Sequence, residues 1–245
     1  MKATTTEIAP SIFRISAFHP DFGIQFNQFL LTGDEPMLIH TGLRQSFEVT
    51  VAGVRAVMDP SKLRWIGFSH FEPDECGALN PWLALAPGAQ AAAGVVGVTV
   101  MLADYADRPA RVMADGETLA TGAHRMRYLA TPHFPHGWDA GLWFEESSRT
   151  LFCSDLFFQP GDPEPFTRAD ILPAVREAIV EGAKGPLAHD LPYTQTTDAK
   201  LERLAALSPA TLAIMHGSSV RTDGAKLLRD YARILRETIG PAASH

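Results

Sequence analysis

The stretch GFSHFEPDECGAL, Gly67 to Leu79, decides how this chain is read. Its start overlaps the apolar run LRWIGFS, Leu63 to Ser69, which has the length and bounds of a buried strand. His70, Glu72 and Asp74 then fall on alternate residues, with Glu75 beside them. Side chains two apart on an extended segment project to the same side. Three polar groups gathered there are costly unless something satisfies them, and a metal ion would. The motif also sits at the C-terminal end of a strand, where open α/β sheets place their ligand sites.

Moving outward, the same type of donor recurs at other strand ends. TPHFPHGWDAG supplies His133, His136 and Asp139; LFCSDLFF supplies Asp155; LAIMHGSS supplies His216. Alone, each is weak, because an Asp after a strand commonly begins a turn and a strand-end histidine is usually a surface residue. Together they form the pattern by which α/β scaffolds draw a site from several strand ends.

The remaining chain supplies the scaffold for such a site. Strands are expected at Ile12–Ser16, Ile24–Leu31, Pro36–Ile39, Met126–Ala130, Gly141–Phe144, Thr150–Ser154 and Ala210–Met215. Helices are expected over Arg44–Met58, Asp170–Gly182, Thr197–Leu207 and Asp223–Ile239, with Asp170 and Thr197 as N-caps. The last helix carries Leu227, Leu228, Tyr231, Ile234 and Leu235 on one face. Residues 80–103 carry no charge until their end, but Pro81, Pro87, Gly88, Gln90, Gly94 and Gly97 interrupt them, so they read as buried helix and strand rather than a membrane span. No linker or low-complexity tract divides the 245 residues, and one domain over 1–245 is expected.

Composition removes several function classes. A formal charge of −7 disfavours nucleic acid or an anionic membrane as partner. Two cysteines, Cys76 and Cys153, are too few for a disulfide framework, and burial as small apolar residues is their expected use. With no apolar block of signal-peptide length at the N-terminus, a cytoplasmic setting is expected.

The succession HFEPDE, PHGWDAG, CSD and MHG resembles the metallo-β-lactamase superfamily over nearly the whole chain. LIHTG, Leu38 to Gly42, resembles a turn in which that superfamily usually shows Asp where His40 stands. Glu72 at the third place of HFEPD is similar to the diiron domain of flavodiiron proteins, and unlike the HxHxDH of zinc hydrolases. The resemblance implies a four-layer αβ/βα sandwich. It also implies that His70, Glu72 and His136 bind one iron, that Asp74 and His216 bind another, and that Asp155 bridges them. Glu75 departs from the pattern, which has His there; whether it binds the second iron or turns away is open at this level. In length the chain is similar to oxygen-binding diiron proteins without a flavodoxin domain. No FMN is therefore expected in it, and electrons would come from a separate redox partner, or signals pass to a signalling partner.

The donor chemistry points the same way. Glu72, Asp74 and Asp155, with Glu75 if it binds, bring three or four negative charges to two divalent ions, which favours oxidation of iron over the residual positive charge a hydrolytic zinc needs. The expected function is binding of O2 or NO, with reduction or oxygen sensing as its use. The alternative is a zinc-dependent hydrolase of a thioester, lactone or phosphodiester. Tyr193 is a candidate hydrogen-bond donor near bound O2, as is His189, and Asp139 a candidate partner of a ligating histidine. His133 is a rival ligand or supporting residue, and Phe71, Phe134 and Trp138 are candidate walls.

Overall fold

The computed structural model describes residues 1–240. The first sheet runs in the order β1 (Thr4–Ala9), β2 (Ile12–His19), β3 (Ile24–Leu31), β4 (Met37–Ile39), β5 (Trp65–Gly67), β6 (Gln90–Gly94) and β7 (Arg111–Met113). It is antiparallel from β1 to β4 and parallel from β4 to β7. Helices α1 (Phe47–Arg55), α2 (Pro73–Cys76), α3 (Leu79–Leu85) and α4 (Ala103–Tyr105) occupy the crossovers between those parallel strands.

The second sheet is built from β8 (Thr118–Thr121), β9 (His124–Ala130), β10 (Gly141–Glu145), β11 (Thr150–Phe152), β12 (Phe166–Thr167), β13 (Thr211–Ala213) and β14 (Ser219–Arg221), in the order β12-β14-β13-β11-β10-β9-β8. Three helices, α5 (Leu172–Gly182), α6 (Thr197–Ala206) and α7 (Gly224–Thr238), cover its outer face.

Strand parity produces the layers. Phe29, Met37, Ile39, Trp65 and Ala92 of the first sheet meet Met126, Tyr128, Trp143, Phe152 and Ala213 of the second in one inner core. Their neighbours Leu30, Leu38, Ile66 and Ala91 face α1 and α3 instead, while Leu142, Leu151 and Leu212 face α5, α6 and α7. Because both faces are covered, the central strands read as continuous apolar runs rather than alternating ones. The result is four layers, helix–sheet–sheet–helix.

Local chemistry sets the element ends. Asp223 caps α7 by accepting from the Lys226 amide at 3.1 Å, and Leu228 on that helix is fully buried. Truncating Leu228 to Ala would cost about 2–5 kcal/mol. Two expected caps lie one position away: Ile171 and Thr196 occupy the N-cap positions, with Asp170 accepting from the Leu172 amide and Thr197 opening α6. Uncharged residues 80–103 divide into α3, β6 and a π-helical turn, Gly97–Leu102. Among the described residues no helix is long and apolar enough to cross a membrane.

Candidate metal centre

Parallel pairing puts the ends of β4 and β5 at one edge of the first sheet, and the ends of β11 and β13 at one edge of the second. His70 follows β5, Asp155 follows β11, His216 follows β13, and His136 lies in the β9–β10 loop. Backbone links tie the sheets there: the Asn27 amide donates to the Met215 carbonyl at 3.0 Å, and the Gly141 amide to the Ser69 carbonyl at 2.9 Å. Gly217, with φ of +132°, turns the chain after His216 where a Cβ would meet Gln159 at 2.7 Å.

The extended reading of His70, Glu72 and Asp74 is corrected by α2. Glu72 is extended, but Pro73 opens a helical turn, so Asp74 leaves the chain from a helix. Proline at the first helical position and acids in the first turn both favour that start. The turn sends the two carboxylates to different groups. His70, Glu72, His136 and Asp155 form one set of donor atoms within 4.8 Å of one another, and Asp74, Asp155 and His216 form a second.

Asp155 belongs to both sets and divides its oxygens between them. Its Oδ2 lies 3.6 Å from His70 Nε2 and 3.7 Å from His136 Nε2, whereas Oδ1 lies 3.2 Å from His216 Nε2. Glu72 Oε2 sits 2.8 Å from His70 Nε2 and 2.9 Å from His136 Nε2, and Asp74 Oδ2 sits 3.3 Å from His216 Nε2. His216 Nδ1 donates to the Gln25 carbonyl at 2.8 Å, which leaves its Nε2 lone pair for a cation.

Electrostatics express the same concentration of charge. Hydrogen bonds from His136 and His70 hold Glu72 down at about 2. Burial opposes charge on His70 and His216, but Glu75, Glu72 and Asp155 around the first, and Asp155 and Asp74 around the second, outweigh it and lift both to about 10. Burial likewise works against the Asp155 carboxylate, yet His216, His70 and His136 bring it well below the usual range. The cluster therefore attracts positive charge, and the buried Asp74 Oδ1 has no protein partner. Three imidazoles and three carboxylates without a thiolate fit a pair of divalent ions such as iron.

Other candidates lie elsewhere. The buried Glu75 carboxylate is in neither set; it accepts from the Ser69 and His70 amides at 2.6 and 2.9 Å and from the Ser154 hydroxyl. Tyr193 is half-buried against the α5–α7 core with its hydroxyl beside Asp198 and Arg236. His133 and His189 are exposed, and Trp138 is 53% exposed and walls nothing. Phe134 belongs to the core under the helices, and Phe71 stacks edge-on against Tyr105. Asp139 accepts from the Phe71 amide at 2.8 Å rather than supporting a histidine. Cys76 and Cys153 are buried and free, and burial pushes both thiols up.

A cavity of about 630 Å³ opens over the two sets, with Glu72, Asp74, His136, Asp155 and His216 on its floor. Phe22, Phe26, Phe158 and Leu191 are among its apolar walls. Phe26 meets the His216 ring edge-on at 5.1 Å between centroids. Sequence reasoning missed Phe26, Phe158, Ser154 and Gln25. Ser154, directly before Asp155, and Phe158, three residues past it, carry a proximity signal; Gln25 acts through its backbone, which sequence does not display.

The chain is similar to the nitric oxide reductase of Moorella thermoacetica, with 24% identity over 90% of this chain and 56% of the relative. It is also similar to the flavo-diiron protein FprA2 of Clostridium acetobutylicum, with 22% identity over 89% of this chain and 58% of the relative. It thus spans little more than half the length of these curated relatives. Among solved structures, rubredoxin oxygen:oxidoreductase from Desulfovibrio gigas superposes with a TM-score of 0.78 at 20% identity, over 94% of this chain and 62% of that one. The fold is accordingly the metallo-β-lactamase αβ/βα sandwich of flavodiiron cores. Residues 24–217 match the family described as ODP family beta lactamase, and the chain belongs to it.

Proposed function

We propose that the chain holds two iron ions and binds O2 or NO over them, reducing it when a separate redox partner supplies electrons. The observation that carries this reading is Asp155, whose two oxygens face two different sets of donors. His70, Glu72 and His136 would hold one ion, Asp74 and His216 the other, and Asp155 both. Bound iron would supply coordination positions for the gas and pass to it the electrons received from the redox partner. The protein's own part is to neutralise charge with three carboxylates, to fix His216 through the Gln25 carbonyl, and to line the approach to the ions with the apolar Phe26 and Phe158. The second set has only three protein donors, which leaves it the more open position.

The names of the relatives, a nitric oxide reductase, a flavo-diiron protein and an oxygen oxidoreductase, support the same chemistry. A zinc hydrolase is not favoured, because Glu72 and its neighbours dull the Lewis acidity that hydrolysis needs. Reduction and sensing share this site and differ in whether a donor re-reduces it. The two free thiols fit a reducing cytoplasm as its setting.

Anaerobic titration with Fe(II), then stopped-flow mixing with O2 and with NO, tests the proposal. Two ions per chain and a visible absorption band on mixing are expected. A zinc-rich preparation with esterase activity, and no response of the ferrous protein to either gas, would overturn it.

A further inference from the structure

Glu75 is completely buried, and its carboxylate joins three segments, two of which carry candidate ligands. Oε2 takes the Ser69 and His70 amides, at 2.6 and 2.9 Å. Oε1 takes the Ser154 hydroxyl, from the residue before Asp155, and faces His70 Nδ1 at 3.4 Å and His40 Nε2 at 3.5 Å. His40 is itself 1% exposed and held in the left-handed region, with φ of +64°. Ser154 is held there too, at +51°. A carboxylate has about four lone-pair sites; three are taken by hydrogen bonds, and the two imidazoles crowd what remains of Oε1.

The geometry points to Glu75 as a positioning residue, paired with His40, that aims His70 Nε2 and sets the Ser154–Asp155 turn while binding no metal itself. An imidazole whose Nδ1 faces a carboxylate presents Nε2 as its ligand atom, and the partner raises that nitrogen's basicity. The Ser154 bond does for Asp155 what the backbone bonds do for His70: it fixes the loop from which the side chain leaves. His40 offers Glu75 a donor in a place water does not reach.

The inference rests on the diiron reading for its metal measurements, so one measurement is independent of metal. The full chain is compared with Glu75→Gln, His40→Gln and the double variant. Ions bound at Fe(II) saturation, affinity for the tighter ion by chelator competition, and solvent exchange of the His70 Nδ1 proton in metal-free protein are read. Glu75→Gln is expected to saturate still at two ions, to bind the tighter one about 10–100-fold more weakly, as loss of such outer partners does, and to exchange the Nδ1 proton at least about tenfold faster. The double variant is expected to match Glu75→Gln within about twofold, because His40 acts only through Glu75.

Saturation of Glu75→Gln at one ion makes Glu75 a ligand and overturns the inference. So does unchanged affinity with unchanged exchange. If the wild-type chain takes no pair of ions, the diiron reading fails by itself, and the exchange rate alone decides the role of Glu75. If Glu75→Gln does not fold, His40→Gln and Ser154→Ala each remove one partner of Oε1. Two weaker ions in both variants support the positioning role, and wild-type affinity in both overturns it.

Discussion

His40 Nε2 lies 3.5 Å from Glu75 Oε1 in a pocket that neither side chain shares with solvent. These are the two positions at which the sequence departs from the patterns it otherwise resembles, with His where Asp is usual and Glu where His is usual. They are neighbours in space though 35 residues apart in sequence. Relative to the resembled pattern, an acid and an imidazole stand here with their places exchanged and in contact.

That exchange predicts the cost of undoing half of it. His40→Asp would set a second buried carboxylate against Glu75 and remove its imidazole donor. Breaking a buried pair in this way costs about 3–5 kcal/mol. Urea unfolding should show a much lower midpoint for His40→Asp and recovery of most of the loss when Glu75→His is added. Equal midpoints for His40→Asp and the wild type would mean the two side chains do not act on each other.

The sharing of Asp155 separates it from every other donor. Glu72→Ala should weaken one ion and Asp74→Ala the other, because each belongs to a single set. Asp155→Ala should weaken both by more than about 100-fold, beyond the roughly 10–100-fold that loss of an outer partner costs. Ions per chain and the ligand-field spectrum of the Co(II)-loaded protein distinguish the three variants. Retention of one ion at full affinity in Asp155→Ala would contradict the bridging geometry.

Much of this arrangement was legible because strand ends can be read locally. The apolar runs ending at Gly67, Phe152 and Ala213 announce buried strands, and His70, Asp155 and His216 stand within three residues of those ends. Ile24–Leu31 was readable at both ends, because polar turn residues bound an eight-residue run. The turn at Pro73–Cys76 was not, since a four-residue helix has no period to detect. Strands β7, β8, β12 and β14, two to four residues long, were hidden because polar residues leave each without an apolar run. The role of Glu75 depends on five partners drawn from three loops, and no sequence spacing encodes that.

Arg14 gives a prediction about support from beneath the site. Its guanidinium is fully buried, donates from Nη2 to Gln25 Oε1 at 2.5 Å and to the Gly217 carbonyl at 3.1 Å, and keeps Nε and Nη1 without partners. Burial, opposed by Asp162, brings its pKa down to about 10. Gln25 in turn accepts the His216 Nδ1 proton, so Arg14 braces both residues that flank His216 in space and sequence. Arg14→Ala should cost about 1–3 kcal/mol for each of the two buried acceptors, Gln25 Oε1 and the Gly217 carbonyl, that it leaves unpaired. It should also weaken the ion at Asp74 and His216 more than the ion at Glu72, which chelator titration at a temperature well below unfolding would resolve.

Acid should act on the fold in part through Glu145, which is completely buried and belongs to neither set of candidate ligands. Burial alone would raise this carboxyl, but His124, the Ser148 hydroxyl and the Ser147 and Ser148 amides outweigh it and hold it at about 2. A folded-state value below the unfolded one means the stabilisation is complete above the ordinary glutamate range, near pH 4.5. It is lost as pH falls from there toward 2. The shift corresponds to on the order of 3 kcal/mol. The melting temperature of metal-free protein should fall steeply between these limits, and Glu145→Gln should flatten that part of the profile while lowering stability at neutral pH. A Glu145→Gln profile parallel to the wild type would place the acid sensitivity in other carboxylates.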